Sequence, residues 1–395
     1  MAACSTIAPA PAHPFTTTVI SSDAAWRALK PDWDSLLAAC PRPSPFLCWD
    51  WLHSWWQSFG AHSRLHVITV STPAGVLAGA APLHLVRRAI AGLPLRSLEF
   101  LGYRGSRVCA DHLDFPALPA LREPACAALV AAIYEHTAWD RLVLADLDSQ
   151  SLLPALLRRS RPTRRSGWFA PAGRRPAPCL VPAETCFYLS LPPSVPELWR
   201  QLGTRHPQFS RNLRRYQRRL ERHHHVRFVA PVPPQEIPAA FAALVHLHGL
   251  ARRRHGQAGN FACPPYRDFH QRVIAGWAHD ARLYLARLDC DGQIAAVLYG
   301  YVLGGVLYFY QSGFDTRLQS EGVGKLLLAR VLEDAIARLG LEEFDFLRGT
   351  ESYKRLWTGQ ARQTATLRLW RPGVAATLDH AVYRLRRHGR ADGVA

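Results

Sequence analysis

The sequence predicts an α/β (α+β) chain built of two tandem copies of one unit, each a mixed, mostly antiparallel sheet flanked by helices. Its length of 395 residues is too great for one ordinary core and suits about two domains of roughly 100–200 residues. Two passages of equal length and similar alternation read as strand hairpins, "RLHVITVSTPAGVLAGAAPL" from Arg64 to Leu83 and "RLYLARLDCDGQIAAVLYGY" from Arg282 to Tyr301. Each is followed by an apolar helix and then a buried strand. In the first copy these are Arg122 to Thr137 and "DRLVLADLD"; in the second, Lys325 to Leu339 and "EEFDFLRG". That repeated order is the sign of a duplicated α/β unit.

The elements follow in chain order. The Ala/Pro-rich first dozen residues read as a flexible tail, 1–12. From Ala24 to Phe59 the pattern is helical, and "PFLCWDWLHSWWQSFG" brings Trp49, Trp51, Trp55 and Trp56 together as a packing face. The first hairpin turns at Pro73-Ala74-Gly75, and the second at Asp291-Gly292, a dipeptide suited to a tight turn. Between the copies lies the Arg/Pro-rich stretch from Arg158 to Glu184, part of which can pair as an edge strand. The boundary is expected near residue 185. Ser194, three residues ahead of Glu197, has the form of a capping box that opens a helix.

Composition bounds the function. With 48% hydrophobic and 20% charged residues the chain is globular rather than disordered. A net charge of +18 would attract phosphates, acidic polymers or an anionic membrane surface, so peripheral membrane contact stays open. The bias behind that charge is compositional, because only Lys30, Lys325 and Lys354 are lysine among 48 basic residues. Nine scattered cysteines without a C-x-x-C pair read as reduced thiols of a cytoplasmic protein. The first residues lack the basic and apolar regions of a secretory signal, and no stretch is long enough to span a membrane.

"YFYQSGFDTRLQSEGVGKLLLARVLEDAIARLG", Tyr308 to Gly340, carries the chemistry. It reads strand, loop, glycine turn, helix, with Gln319, Gly322 and Gly324 in a Q-x-x-G-x-G pattern and Lys325 at the helix start. Glycines let backbone approach an anion, and the unpaired amides of a helix N-terminus hold phosphate oxygens. A lysine there opposes the helix dipole, so a bound anion explains it better than helix stability does. The Walker spacing is absent, and no acidic residue follows at the dinucleotide-binding distance.

This turn resembles the coenzyme A pyrophosphate loop of the GNAT acetyltransferase superfamily. With "FDFLRGTESYKRLW" (Phe344 to Trp357) included, it resembles the BioF2-like or CelD-like branch, which shares a duplicated architecture with the Fem-type aminoacyltransferases. The resemblance implies an N-terminal GNAT-like domain over 13–185 and a C-terminal GNAT domain over 186–395. The first is degenerate, because proline-rich "DFPALPALREPACAALV" replaces its glycine turn.

An acyltransferase is implied, moving acetyl or another acyl group from acyl-CoA directly to an amine or hydroxyl. The acceptor would be a glycan precursor, a sugar nucleotide or an envelope metabolite in exopolysaccharide synthesis. Val323, Gly324 and Lys325 would hold the pyrophosphate through backbone amides, with Gln319 opening the loop beside Gly322. Alternation puts Phe344 and Phe346 on one strand face and Asp345 on the other, toward a cleft. Asp345, Glu351 and Tyr353 are the candidate bases or oxyanion donors. Lys354 suits a mobile point charge at the acceptor edge.

Two alternatives stand beside this reading, aminoacyl transfer from tRNA and a non-catalytic scaffold in polysaccharide synthesis. The first draws on "FSRNLRRYQRRLER", whose arginines 211, 214, 215, 218, 219 and 222 share one helical face. No metal is expected: His223 to His225 are adjacent and cannot converge on one ion. His246, His248 and His255 are candidates to line an acceptor cleft.

Overall fold

The hairpin turns fold as their residues dictate. Asp291 and Gly292 both take positive φ (52° and 77°), the type I′ geometry that matches strand twist. Gly75 takes φ 83°, and its amide reaches the Thr72 carbonyl at 2.9 Å. The computed structural model describes residues 15–103, 108–160, 177–254 and 256–391; the tail 1–12, His255 and part of the Arg/Pro-rich connection lie outside them.

The first half runs β1 (Thr16–Ile20), α1 (Asp23–Ala28), α2 (Lys30–Ala38), α3 (Trp49–Phe59), β2 (Ser63–Leu65), β3 (Val67–Ser71), β4 (Leu77–Ala81), β5 (Leu83–Ile90), β6 (Leu93–Phe100), α4 (Arg122–Glu135), β7 (Arg141–Leu147), α5 (Leu153–Arg159) and β8 (Cys179–Ser190). The second runs α6 (Val195–Arg205), α7 (Pro207–His223), β9 (Val226–Val229), α8 (Ile237–Arg253), α9 (Pro264–Trp277), β10 (Leu283–Cys290), β11 (Gln293–Leu303), β12 (Val306–Phe314), α10 (Val323–Ala337), β13 (Glu343–Arg348), β14 (Ala361–Trp370) and α11 (Val374–Ala391).

Among the described residues, the strands form a small sheet, β1-β3-β4, and one long sheet ordered β2-β5-β6-β7-β14-β8-β13-β12-β11-β10-β9. Each half contributes antiparallel neighbours and one parallel pair. β6 pairs with β7 over Ser97–Glu99, and β12 pairs with β13 over Val306–Tyr308. The last strand of each half crosses over: β8 lies against β13, and β14 lies against β7. β8 and β14 then pair with each other at the centre of the sheet.

This exchange changes the reading of the connection. The boundary expected near 185 falls inside β8, and the edge strand expected there is a central strand. Period and composition report local structure, and exchanging two equivalent final strands leaves both unaltered.

The halves also share a core. One apolar cluster joins Trp26, Trp33, Trp51, Trp55 and Trp139 to Trp277, Tyr299 and Tyr301 from the second half. Here α3 turns its tryptophan face onto α9, with the Trp51 and Phe269 rings 4.7 Å apart, edge to face. A second cluster packs α6, α7 and α10 on the other face of the second-half strands. Ser194 caps α6 as expected, accepting from the Glu197 amide at 3.4 Å, while the Glu197 carboxylate turns to Arg200 and Gln201. No helix among the described residues is long and apolar enough to cross a membrane.

Candidate active site

The glycine turn sits where β12 hands over to α10. Thr316–Glu321 wind into a short 3-10 turn, started by the Asp315 carboxylate accepting from the Arg317 amide at 2.8 Å. Gly322 then takes the left-handed conformation (φ 73°, ψ 23°), which disfavours any Cβ. Space forbids one too, since a Cβ would lie 2.7 Å from the Tyr216 ring of α7. A Cβ on Gly324 would stand 3.0 Å from the Phe314 ring. Both glycines therefore answer to close packing as well as to any ligand.

Two amides at this helix start are left without a backbone acceptor, although Val323 as a whole is buried. The Gly322 amide reaches Gln319 O at 3.1 Å, and the Lys325 amide reaches Gly322 O at 2.9 Å. Among the described residues, Val323 and Gly324 have no such backbone acceptor, and no side chain caps the helix. The expected three-amide cradle thus narrows to two, because a 3-10 bond closes the third. Lys325 is exposed, with its ammonium 5.3 Å above the Tyr216 ring. Gln319 is tied to the end of α8, its Oε1 accepting from Arg254 at 3.0 Å.

Beside this turn the parallel strands part. Pairing of β12 with β13 ends at Tyr308 and Asp345, although β12 continues to Phe314 and β13 to Arg348. A register slip against β11 between Tyr299 and Gly300 leaves Tyr310 as the extra residue of a bulge, a device that bends a strand and ends pairing. Gly300 permits it, for a Cβ there would lie 2.4 Å from the Tyr308 carbonyl.

The stretch Phe344 to Trp357 alternates as expected, with Phe344 and Phe346 packed 4.8 Å apart in the second cluster and Asp345 on the opposite face. Asp345 does not open onto a cleft, however. It is fully buried, with one oxygen held by the Leu347 amide at 2.7 Å and the other by His112 Nε2 at 3.0 Å. With both oxygens engaged it orients His112 and does not serve as an accessible base.

Lys354 is not mobile. It is 2% exposed, and its ammonium donates to the carbonyls of Leu347 (3.2 Å), Arg348 (2.5 Å) and Gly349 (3.4 Å). It fastens the strand end, where Leu347 and Gly349 both have positive φ. Glu351 remains accessible, about half exposed and 3.0 Å from the Lys354 ammonium. Tyr353 is pushed well above the usual tyrosine range, by burial first and then by the Glu351 charge. Its hydroxyl therefore stays protonated, able to donate a hydrogen bond but a weak proton donor.

The seam between the halves holds charged groups that sequence reasoning missed. His112, left-handed at φ 58°, sits between Asp345 and Asp148. Burial opposes its charge, but the charge and hydrogen bond of Asp345, with the Asp148 carboxylate 3.5 Å from Nδ1, outweigh this and hold its pKa well above the ordinary value. Arg348 Nη2 lies 2.5 Å from Asp111 and 2.7 Å from Asp146. The one visible signal was the acid- and histidine-dense "CADHLDF" in the first-half loop. It names no partner more than 200 residues away.

The His112 contact implies a pH dependence. Because the native pKa is raised, its stabilisation is complete below the ordinary histidine pKa of about 6.5 and is lost as pH rises through the native value. Urea unfolding should show the wild-type advantage over His112→Gln greatest near about pH 6 and shrinking in alkali.

The expected acceptor-cleft histidines separate. His248 is buried 5.3 Å from the Phe261 ring, its pKa pushed down to about 4 by burial and then by Arg252. His224 pairs with Asp291 at 2.6 Å, and no metal-ligating cluster occurs among the described residues.

The sequence pattern of the GNAT acetyltransferase domain matches residues 207–355. A mycothiol acetyltransferase of Clavibacter michiganensis subsp. michiganensis (strain NCPPB 382) is 40% identical over 78 residues, which are 20% of this chain and 25% of that protein. FemX superposes with a TM-score of 0.53 at 10% identity, over 89% of this chain and 96% of its own. The C-terminal DUF2156 domain ascribed to a lysylphosphatidylglycerol synthetase of Agrobacterium fabrum gives 0.51 at 11%, over 91% and 97%. At those identities the likeness is one of fold. From α7 to the end of the Tyr353-Lys354 turn, the chain carries a GNAT acetyltransferase domain, set in a duplicated architecture shared with FemX.

Proposed function

We propose that the second half transfers an acyl group, acetyl in the simplest case, from acyl-CoA to an amine or hydroxyl. One observation carries this reading: β12 and β13 part beside a helix start whose Val323 and Gly324 amides lack protein acceptors. Two amides without protein acceptors, the helix dipole and exposed Lys325 would favour the negative charge of a diphosphate there. The acyl arm would follow the unpaired edge of β12. The nucleophile attacks the thioester carbonyl carbon, the carbon–sulfur bond breaks, and the acyl group moves without a covalent enzyme intermediate. Glu351 or water takes the nucleophile's proton, the thiolate leaves and takes its proton from solvent, and Tyr353 is our candidate to donate a hydrogen bond to it. Lys354 and Asp345 act as positioning residues.

The acceptor we propose is a hydroxyl- or amine-bearing glycan precursor, sugar nucleotide or envelope metabolite, used in exopolysaccharide synthesis in the cytoplasm. The matched mycothiol acetyltransferase segment supports acetyl as the group carried. Calorimetry with acetyl-CoA tests the donor. Gly324→Trp should fill the helix start and weaken binding by about 100-fold or more, roughly 2.7 kcal/mol. Unchanged affinity in a folded Gly324→Trp protein would reject the donor site.

A second reading, aminoacyl transfer from tRNA, is favoured by α7. Its exposed Arg211, Arg214, Arg215, Arg218, Arg219 and Arg222 form no ion pair among those of the described residues, unlike many arginines elsewhere. It requires RNA affinity that falls steeply with salt; RNA-free protein with no affinity at low salt eliminates it.

A further inference from the structure

A cavity of about 410 Å³ lies on the seam, lined by both halves and including His112, Asp148, Phe115, Tyr308, Glu343 and Arg362. Its volume is within the usual range of small-molecule sites, roughly 300–1,000 Å³. It occupies the end of β7 and the start of α4, the counterpart in the first half of the donor turn. It is a separate place. β12 starts in the cavity wall at Val306 and ends at Phe314 beside the glycine turn, about 26 Å of extended chain.

The polar groups on its wall define the ligand. His112 is 7% exposed, and Nε2 is taken by Asp345. Nδ1 has no hydrogen-bond partner; the nearest acceptor, Asp148 Oδ2, is 3.5 Å away, too far for a good bond. The other Asp148 oxygen accepts from the Gln150 amide at 2.7 Å. A buried donor and a partly exposed acceptor thus stand side by side, each with capacity left, which a folded interior does not normally leave unfilled.

An ammonium cannot accept from Nδ1–H, and a carboxylate or a fully ionised phosphate cannot donate to Asp148. A hydroxyl does both. A second donor–acceptor couple is on the same wall, where Arg362 Nη2 meets Glu343 Oε1 at 2.5 Å and Arg42 approaches Glu343 at 3.6 Å. Arg122 and Asp114, paired at 3.3 Å, also line the cavity, and Phe115, Tyr308, Pro43 and Pro116 give it apolar surface to receive C–H faces. A single water would satisfy one couple and leave the rest of the volume unused.

We propose that this cavity is a carbohydrate site, in which one hydroxyl of a polyhydroxylated ring bridges His112 Nδ1 and Asp148 Oδ2 while others address the Arg362–Glu343 couple. The first half contributes His112 and Asp148 and the second contributes Glu343 and Arg362, so the site belongs to the seam rather than to either half. The site holds whether or not the second half uses acyl-CoA.

The test uses the full chain and saturation-transfer NMR with calorimetry. The probes are glucose and N-acetylglucosamine, with inorganic phosphate and glycine as anion and zwitterion controls. Asp148→Ala removes one half of the bridge and should weaken sugar binding about tenfold. Gln150→Trp blocks the mouth from an exposed position that makes no side-chain ion pair, and should abolish binding without disturbing the seam. Saturable sugar binding lost in both variants, with no competition by phosphate or glycine, supports the site. Failure of both sugars to bind wild-type protein, equal competition by phosphate or glycine, or undiminished binding in Gln150→Trp overturns it. Acetyl-CoA titrations of the same proteins report the donor site separately, so failure there leaves the sugar result intact.

Discussion

Arg348→Met is expected to remove about 3–5 kcal/mol of stability, the usual penalty for stranding buried charge. Asp111 is fully buried and Asp146 is 3% exposed, and the Arg348 guanidinium reaches both. The Arg348 amide also donates to Asp111 at 3.0 Å. Methionine fills similar volume but leaves two carboxylates facing each other without a cation. Because Asp111 and Asp146 belong to the first half and Arg348 to the second, the loss should loosen the seam rather than one local turn.

The pH profile identifies the cause. Burial pushes Asp146 up to about 6, and the Arg348 charge is the largest influence holding it down. An acid whose native pKa is raised opposes folding more as pH rises through that value. Removing Arg348 raises it further, so the variant should be weakest above about pH 6 and recover in part on acidification. A denaturation midpoint independent of pH, or a loss under about 1 kcal/mol, would contradict the ion-pair account.

Lys354→Met should cost about 3 kcal/mol, since it leaves three carbonyls at a buried strand end without their charged donor. Lys354→Arg separates this role from that of a free charge. A fixed ammonium in a site only 2% exposed has no room for a planar guanidinium, so arginine should also destabilise. Were Lys354 a mobile charge at a cleft, arginine would preserve stability and most activity. Chemical denaturation of both variants decides between these outcomes.

What the sequence made legible was local. The Asp291-Gly292 turn, the Ser194 cap, the tryptophan face of α3 and the strand–glycine turn–helix order each depend on residues within a few positions of one another. The strand exchange was not legible, because β8 and β14 are similar enough in kind to occupy either place beside β7 or β13. Alternation put Asp345 on the face away from Phe344 and Phe346, where it is, but could not show that His112, 233 positions away, would cover it and leave it no cleft. Lys354 looked unusual in an arginine-rich chain, and it is; the reason is the three inward carbonyls that a compact ammonium fits. The glycines of the donor turn were read as making room for a ligand, and the packing of Tyr216 and Phe314 against them is a second reason for them that the sequence did not show.

On the proposed mechanism, the amides of Val323 and Gly324 receive the diphosphate of an acyl-CoA donor. Amide hydrogen exchange of the full chain, with and without acetyl-CoA, tests it most directly. The expected result is protection of the segment from the end of β12 through the first turn of α10, with the start of α4 unchanged. Saturable binding that leaves the Val323 and Gly324 amides exchanging at their free rate would contradict it.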